Sequence, residues 1–164
     1  MELSIRPPVE CDIESVCALA RIVWQATYPA LISQAQIDFM LADRYAAARI
    51  RDQINDPSHV WRLALWDAGI VGFAHASIDA LAVKLDKLYI APSHQQRGIG
   101  RALLDDIKRF AHDHAATRLW LQVNRGNTPA IAAYQQYGFT TKTAQVFEIG
   151  GGFVMDDYVM DMPL

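Results

Sequence analysis

The stretch that most constrains this chain runs from residue 83 to residue 104 and reads VKLDKLYIAPSHQQRGIGRALL. Its first part, Val83 to Ile90, is a short apolar-rich run typical of a strand, and Ala91-Pro92 ends it. From Ile99 onward the apolar residues recur at helical spacing. The segment therefore predicts a strand, a glycine loop and a helix in direct succession.

This loop has the composition of an anion site. Gly98 and Gly100 allow unusual backbone angles and a close approach to the main chain, and the first turn of the next helix has amides without an intrahelical partner. Arg97 and Arg101 flank the loop with guanidinium groups that match phosphate geometry. A phosphate or pyrophosphate would suit the site. An ordinary strand-to-helix turn is the alternative.

Two other phosphate loops do not fit these residues. A Walker loop needs Lys-Ser/Thr after its last glycine, but Arg101-Ala102 follows Gly100. A dinucleotide fingerprint needs a third small residue at position 103, which is Leu103.

Composition sets outer limits on the protein's class. The 164 residues, 52% hydrophobic and 20% charged, indicate one globular domain spanning 1–164. The formal charge of −3 and the lack of a basic run argue against a nucleic-acid partner. Cys11 and Cys17 form no disulfide or metal-ligand pattern, and we find no signal peptide or apolar span long enough for a membrane. We therefore expect a cytoplasmic protein without a membrane partner.

The apolar pattern predicts the element order βααβββαβαββ. The second helical region begins at Ser33 and ends before Asn55, with a possible break near Ala42-Asp43, and Thr128 is the expected cap of the last helix. A strand, crossover helix and strand over 83–123 require a parallel pair, whereas the hairpins require antiparallel pairs. We therefore expect a mixed sheet with helices on both faces, an α/β (α+β) fold.

Two blocks of sequence resemble one family. Gln95-Gln96-Arg97-Gly98-Ile99-Gly100 resembles the Gln/Arg-x-x-Gly-x-Gly/Ala loop of the GCN5-related N-acetyltransferases (GNAT), and Leu88 to Pro92 resembles the strand before it. Residues 119–139 are similar to that family's next strand and helix, with the ending Tyr134-x-x-x-Gly-Phe139. The resemblance implies a mostly antiparallel sheet of six or seven strands with one splayed parallel pair.

The resemblance also implies acetyl-coenzyme A as co-substrate. No metal is expected, because His59, His94, His112 and His114 show no metal-ligand arrangement with carboxylates or cysteines. Backbone groups of Leu88, Tyr89 and Ile90 would pair with the pantetheine amides, and an N–H near Leu88 or Ile90 would hold the thioester carbonyl. Asn127 matches the asparagine that hydrogen-bonds the cofactor. The residues expected around the pyrophosphate are Gln95, Gln96, Arg97, Gly98, Ile99, Gly100 and Arg101.

Tyr134 matches the family's general acid, which protonates the departing thiolate. The base is open, because the position at which some members carry a glutamate is Gln122. Alternation along the strand predicts that Asp86 shares a face with Leu88 and Ile90, towards the cleft, where it would take a proton or bind the amine's charge. His75 is the other candidate, although a solvated Asp86 and a structural His75 are the simpler alternatives.

The acceptor is expected to be a small-molecule amine. Trp24, Tyr28 and Phe39 are candidates for the pocket lining, although aromatic residues at helical spacing more often belong to a core. The C-terminal segment from Gly151 resembles the tail of bacterial spermidine/spermine acetyltransferases, which suggests a polyamine, and acidic Glu148, Asp156 and Asp157 would suit one.

Three hypotheses follow from the sequence: a small-amine acetyltransferase, a protein or peptide N-acetyltransferase, and a non-catalytic acetyl-CoA-binding regulator. The final strands also allow a homodimer.

Overall fold

The computed structural model describes residues 2–164, which form seven strands and five α-helices. Two short 3-10 helices, Glu10–Asp12 and Pro92–His94, join them. The strands are β1 (Leu3–Arg6), β2 (His59–Trp66), β3 (Gly69–Asp79), β4 (Ala82–Ile90), β5 (Arg118–Asn124), β6 (Thr140–Gly150) and β7 (Phe153–Pro163). The helices are α1 (Ile13–Thr27), α2 (Gln34–Arg44), α3 (Ala47–Ile54), α4 (Ile99–Asp113) and α5 (Thr128–Tyr137).

All seven strands form one sheet in the order β1-β2-β3-β4-β5-β7-β6. Only β4 and β5 are parallel, because the crossover helix α4 connects them, and the other neighbours are antiparallel. The parallel ladder runs from Ala82 opposite Arg118 to Leu85 opposite Leu121 and then stops, although both strands continue. The predicted mixed sheet with one splayed parallel pair is confirmed.

Apolar side chains fill both faces of the sheet. Helices α1, α2 and α3 cover one face, around Val16, Ile37 and Phe73. Helix α4 covers the other face through Leu103 and Ile107, and α5 packs at its margin. The expectation of helices on both faces is confirmed. Among residues 2–164, no helix has both the length and the apolar character required to cross a membrane.

Three local predictions are wrong in detail. The second helical region breaks at Tyr45 and Ala46, not at Ala42-Asp43, because Tyr45 turns its ring into the core and leaves helical geometry. Asn127, not Thr128, caps α5, and its Oδ1 accepts a hydrogen bond from the Ala130 amide at 3.4 Å. Asp86 lies on the face of β4 opposite to the predicted one, because a bulge interrupts the pairing of β4 with β3.

Candidate active site

A cleft of about 1360 Å³ opens where β4 and β5 separate. The ends of both strands, the loop before α4 and the helix α5 form one half of its wall. The end of α1, the helix α2 and the β6–β7 hairpin form the other half. Beyond Leu85 the β5-facing edge of β4 has no ladder partner, so the backbone groups on that edge are available to a ligand, except the Ile90 carbonyl, which accepts a hydrogen bond from Gln95. The cleft therefore combines an open strand edge with a helix N-terminus.

The glycine loop at the start of α4 adopts the conformation of an anion cradle. Gly98 has φ +78° and precedes the first residue of α4, and Gln96 also has a positive φ of 59°. A Cβ added at Gly98 or Gly100 would meet no atom within 4 Å, so the space above both residues is open. Because the first amides of a helix have no intrahelical acceptor, this open space suits a phosphate.

The side chains around the loop occupy distinct places. Gln95 donates a hydrogen bond from Nε2 to the Ile90 carbonyl at 3.2 Å, which ties the loop to the end of β4. The Arg97 guanidinium lies 5.5 Å from the Trp66 ring centre and the Arg101 guanidinium 5.9 Å from that of Tyr137. Arg101 lines the cleft. The residues present fit a ligand that has a pyrophosphate and an extended amide chain.

Tyr134 lies on α5 and lines the same cleft as Leu88, Tyr89 and Ile90. Its ring packs edge-on against Phe139, with ring centres 5.6 Å apart. Burial raises the pKa of the Tyr134 hydroxyl above its usual range, so the group stays protonated at neutral pH. Asn127, the cap of α5, also lines the cleft.

A β-bulge in β4 decides where Asp86 points. His75 pairs with Lys87 and Ala76 pairs with Leu85, so Asp86 is an extra residue without a partner on β3. Leu88 and Ile90 consequently pack towards the α4 side, while Asp86 contacts groups on the α1–α2 side. The expected alternation is therefore wrong for Asp86, because a bulge shifts the side-chain period by one residue.

Asp86 is at the centre of a partly buried ionic cluster. Its Oδ2 accepts hydrogen bonds from Lys87 Nζ at 2.5 Å and His75 Nδ1 at 3.1 Å, and its Oδ1 is 3.8 Å from Arg44. Lys84 Nζ is 3.9 Å from the same oxygen. Although burial opposes ionisation, Lys87 and His75 hold the pKa of Asp86 well below its usual range. A carboxylate with these partners is a weak proton acceptor, although it borders the cleft.

His75 lies behind Asp86. Its ring is 2% exposed, stacks on Trp61 with ring centres 4.8 Å apart, and shares a 2.8 Å hydrogen bond between its Nε2 and His59 Nδ1. Burial lowers the pKa of His75 to about 4, although Asp86 favours the charged ring. The structure thus places His75 next to Asp86 but not among the residues that line the cleft.

Aromatic side chains form the α1 side of the cleft. Trp24 and Tyr28 both line it, with ring centres 4.3 Å apart, and the Tyr28 hydroxyl is 2.8 Å from the Tyr89 hydroxyl. These residues are also buried in the core, so the pocket and core roles coincide. Phe39 instead packs on Phe153, beside the glycine turn of the β6–β7 hairpin.

Of the three acidic residues that the sequence associates with a polyamine acceptor, Glu148 and Asp157 line the cleft, whereas Asp156 does not. Asp157 on β7 lines the cleft and is 7% exposed, and its Oδ1 has no hydrogen-bond partner among residues 2–164. Burial raises the pKa of Asp157 to about 6, although Arg44 and Lys84 oppose that shift. Its acidic character was visible in the sequence, but its isolation from hydrogen-bond donors was not. In the described part of the chain, no group of three or more His, Cys, Asp or Glu residues could hold a metal ion.

Comparison with known sequences places most of the chain in one family. The model of the Acetyltransferase (GNAT) family matches residues 19–139. A spermidine N(1)-acetyltransferase of Thermoplasma acidophilum is 24% identical over 160 residues, which cover 95% of this chain and 97% of that protein. A streptothricin acetyltransferase of Streptomyces lavendulae is 40% identical over 75 residues, covering 44% of this chain and 40% of that protein. The ribosomal protein bS18-alanine N-acetyltransferase of Escherichia coli K12 is 31% identical over 74 residues, covering 45% of this chain and 50% of that protein.

Solved structures share the fold. The PaiA N-acetyltransferase from Thermoplasma acidophilum, in complex with coenzyme A, superposes with a TM-score of 0.88 over the whole of both chains at 23% identity. The ribosomal-protein-S18-alanine N-acetyltransferase from Escherichia coli gives a TM-score of 0.74 at 17% identity, over 99% of this chain and 94% of that one. Since the family match spans most of the sequence and the cleft has the predicted loop, strand edge and tyrosine, the chain belongs to the GNAT family and is an acetyl-CoA-dependent N-acetyltransferase.

Proposed function

We propose that this acetyltransferase acetylates a primary amine of a small molecule, with a polyamine as one specific case. The observation that carries the proposal is the cleft itself. One cavity borders the open edge of β4, the anion cradle, Asn127 and Tyr134 on one side, and a separate group of aromatic and charged residues on the other. A donor half and an acceptor half therefore meet in the same space.

The donor half suits acetyl-CoA, which supplies an acetyl group activated as a thioester. Backbone groups of Leu88, Tyr89 and Ile90 would hold the amide arm as an added strand, because this edge of β4 has no ladder partner. Asn127 has a side-chain NH₂ group to offer, since its hydrogen bond to Ala130 uses only Oδ1. The residues proposed around the pyrophosphate are Gln95, Gln96, Arg97, Gly98, Ile99, Gly100 and Arg101.

Two groups of this protein would take part in the transfer of the acetyl group. An N–H of Leu88 or Ile90 would stabilise the negative charge that develops on the carbonyl oxygen. The Tyr134 hydroxyl would give a proton to the leaving sulfur, since burial keeps it protonated and it faces the cleft from α5.

The acceptor half supports a small amine rather than a long peptide. Trp24 and Tyr28 border it on one side, and Phe147 to Ile149 of the β6–β7 hairpin border it on the other. Trp24 and Tyr28 would contact the acceptor, and Asp86 would contribute its negative charge to the electrostatic potential of the cleft. His75 would act only through Asp86, which it contacts. The polyamine case is supported by similarity along nearly the whole chain to a spermidine N(1)-acetyltransferase.

A protein N-terminus is the second candidate acceptor. It is favoured by the 31% identity with a ribosomal protein bS18-alanine N-acetyltransferase, although that similarity covers less than half of this chain. A short peptide would have to enter between α2 and the β6–β7 hairpin.

The test measures thiol release from acetyl-CoA with spermidine, amino acids, aminoglycosides and short peptides as acceptors, after calorimetry has established acetyl-CoA binding. We expect release with one small-amine class, and a loss of at least about 100-fold in kcat for Tyr134→Phe with acetyl-CoA binding retained. Tyr158→Phe, which removes a hydroxyl outside the cleft, is the matched control. Thiol release with peptides alone would show that the acceptor is a protein and not a small molecule.

We also propose that the protein acts in the cytoplasm and forms a homodimer through its last two strands. Strand β6 lies at the edge of the sheet and is exposed along most of its length. An exposed edge strand is a surface on which a second chain can pair.

A further inference from the structure

Asp157 is unusual among the buried carboxylates of residues 2–164. Asp12 accepts hydrogen bonds from Arg6 at 2.7 Å and from the Val9 amide at 2.8 Å, and Asp161 accepts one from Arg118 at 2.7 Å. Asp157, equally buried, leaves Oδ1 without a partner. Burying a carboxylate oxygen without a hydrogen bond costs folding free energy, so such an oxygen calls for a functional explanation.

The polar groups around Asp157 are engaged elsewhere. On β5 the opposite residue is Asn124, whose Oδ1 accepts from the Gly126 amide at 2.8 Å and whose Nδ2 points to Met155. On β6 the opposite residue is Gln145, which is exposed. Asp157 thus lines the cleft, and its unpartnered oxygen is buried without a structural donor beside it.

Charged groups face Asp157 from several elements. Arg44 of α2 and Lys84 of β4 favour its ionised form, whereas Asp156 on the same strand disfavours it. Arg44 and Lys84, however, lie within 3.8 and 3.9 Å of Asp86 Oδ1 and are paired with that carboxylate. Tyr28, another titratable neighbour, stays protonated because burial raises its pKa. Asp43, Asp86 and Glu148 also line the cleft, but Asp157 is the carboxylate among them with a buried oxygen that has no hydrogen-bond partner.

We propose that Asp157 binds the ammonium group of the acceptor and takes the proton that the amine must lose before acetyl transfer. This inference rests on the proposed function, because it requires an amine acceptor in the same cleft. An ammonium group would supply the donor that Oδ1 lacks, and Trp24 and Tyr28 would provide apolar surface beside it.

The proton balance of the step is simple. One N–H bond of the ammonium group breaks, its proton forms an O–H bond with the Asp157 carboxylate, and the electron pair stays on the nitrogen. The neutral nitrogen then attacks the thioester carbon, the carbon–sulfur bond breaks, and the sulfur takes its proton from Tyr134. The nitrogen loses a second proton as the amide forms, and this proton restores the Tyr134 hydroxyl through water. Asp157 returns its proton to water after the product leaves. A group with a pKa of about 6 suits this task near neutral pH, because it is ionised yet accepts a proton more readily than Asp86.

The decisive experiment compares Asp157→Asn, Asp157→Glu and Asp156→Asn in the thiol-release assay, with spermidine and with the best acceptor class of the wild-type panel. For wild type, kcat/KM for the amine should fall at acidic pH with a midpoint near 6. For Asp157→Asn we expect kcat/KM to decrease at least about 100-fold and to lose this acidic limb, the fall at acidic pH. Calorimetry should give an acetyl-CoA dissociation constant within about two-fold of wild type.

The companion variants test the geometry. Asp157→Glu keeps a carboxylate and should retain the acidic limb, with kcat/KM between those of wild type and Asp157→Asn. Asp156→Asn removes an exposed carboxylate that disfavours the ionised form of Asp157, so this variant should keep the acidic limb and shift its midpoint to lower pH. This control separates a specific role of Asp157 from the general electrostatic effect of removing a negative charge near the cleft.

The outcomes separate this inference from the proposed function. Wild-type turnover with an unchanged profile for Asp157→Asn would overturn the role of Asp157 and leave the acetyltransferase intact. If Asp157→Asn does not fold, the pH dependence of kcat/KM for wild type decides. A kcat/KM that does not fall between about pH 7 and pH 5 would overturn the inference. No wild-type turnover with any amine would contradict the proposed function itself, and the role of Asp157 would fall with it.

Discussion

Two aspartates on the wall of one cleft show how strongly a residue's surroundings determine its chemistry. Asp86 has Lys87, His75, Arg44 and Lys84 around its carboxylate, and its pKa is held well below the ordinary range. Asp157 has no hydrogen-bond donor at its Oδ1, and burial raises its pKa to about 6. The first carboxylate is suited to holding cations in place, and the second is suited to exchanging a proton.

The raised pKa of Asp157 predicts a pH-dependent cost to stability. Its carboxyl group has a pKa of about 6 in the folded protein, against an ordinary value of 3.8, so ionisation opposes folding. The stability that the protonated carboxyl contributes is full below about pH 4 and is lost as pH rises through about 6. Asp157→Asn, which is neutral throughout, should therefore gain up to about 3 kcal/mol relative to wild type between those limits.

Urea unfolding of both proteins at several pH values measures this gain, without any ligand. Asp156→Asn, which changes an exposed carboxylate on the same strand, should show only a small part of this trend, because burial is the main cause of the raised Asp157 pKa. A constant difference between Asp157→Asn and wild type at all pH values would mean that Asp157 titrates normally.

Removing the charge of Asp86 should destabilise the protein, in contrast to Asp157→Asn. Lys87 is 4% exposed and its ammonium lies 2.5 Å from Asp86, so Asp86→Asn would leave a buried cation without its counter-charge. We expect a loss of about 3–5 kcal/mol in the free energy of unfolding. Adding Lys87→Met should recover much of that loss, because the unpaired charge is then removed.

Urea unfolding of the two single variants and the double variant gives these values. If Asp86→Asn kept its stability but lost turnover, Asp86 would be a catalytic base, as the sequence analysis allowed.

At the scale of elements, two backbone features shape the cleft. The bulge at Asp86 sits next to Leu85, the last β4 residue paired with β5, so the strand bends where the parallel ladder ends. The left-handed conformation of Gly98 then turns the chain into α4. An open strand edge and a helix N-terminus consequently face the same space.

The two glycines of this loop should respond to alanine with opposite signs. Gly98→Ala places a Cβ on a residue with φ +78°, and although the space is open we expect a loss of about 1–2 kcal/mol in stability. Gly100 lies in the first turn of α4 without a positive φ, so Gly100→Ala should gain up to about 1 kcal/mol through helix propensity.

Chemical denaturation of the ligand-free variants tests both values, and each variant is the other's control. Destabilisation by both substitutions would show that space, and not backbone conformation, limits this loop.

At the scale of the whole molecule, one sheet separates two apolar cores, and the cleft opens beside both. The last hairpin extends the sheet beyond the region covered by helices. Val146 of β6 and Val154 of β7 are 58% and 49% exposed, and the strand register places them diagonally on one face of the hairpin. The proposed homodimer would bury this surface.

Sedimentation velocity measures the self-association directly. We expect wild type to sediment at twice the chain mass of 18.3 kDa, and Val146→Lys with Val154→Lys to sediment as a single chain, because each lysine would place a charge in the apolar contact. Ile22→Lys, at an equally exposed apolar site on α1, should leave the mass unchanged. A single-chain mass for wild type at every concentration would contradict the homodimer.

Much of the fold follows from local sequence signals. The strand, loop and helix over residues 83–104 come from hydrophobic period and glycine position, and the parallel pair comes from the length of the crossover connection. These signals act between residues close in the chain, so the sequence alone carries them. The same signals place Tyr134 on a helix whose N-terminal cap is next to the cleft.

The tertiary structure decided the electrostatics. The bulge that moves Asp86 to the other face depends on the register with β3, and His75 is isolated from the cleft because Trp61 and His59 cover its ring. Asp157 became a candidate base only because no donor from β5, β6 or α2 reaches its Oδ1 in the folded chain. Local patterns determine helices and strands, whereas desolvation and charge pairing depend on groups far apart in sequence, so only the folded arrangement distinguishes the two carboxylates.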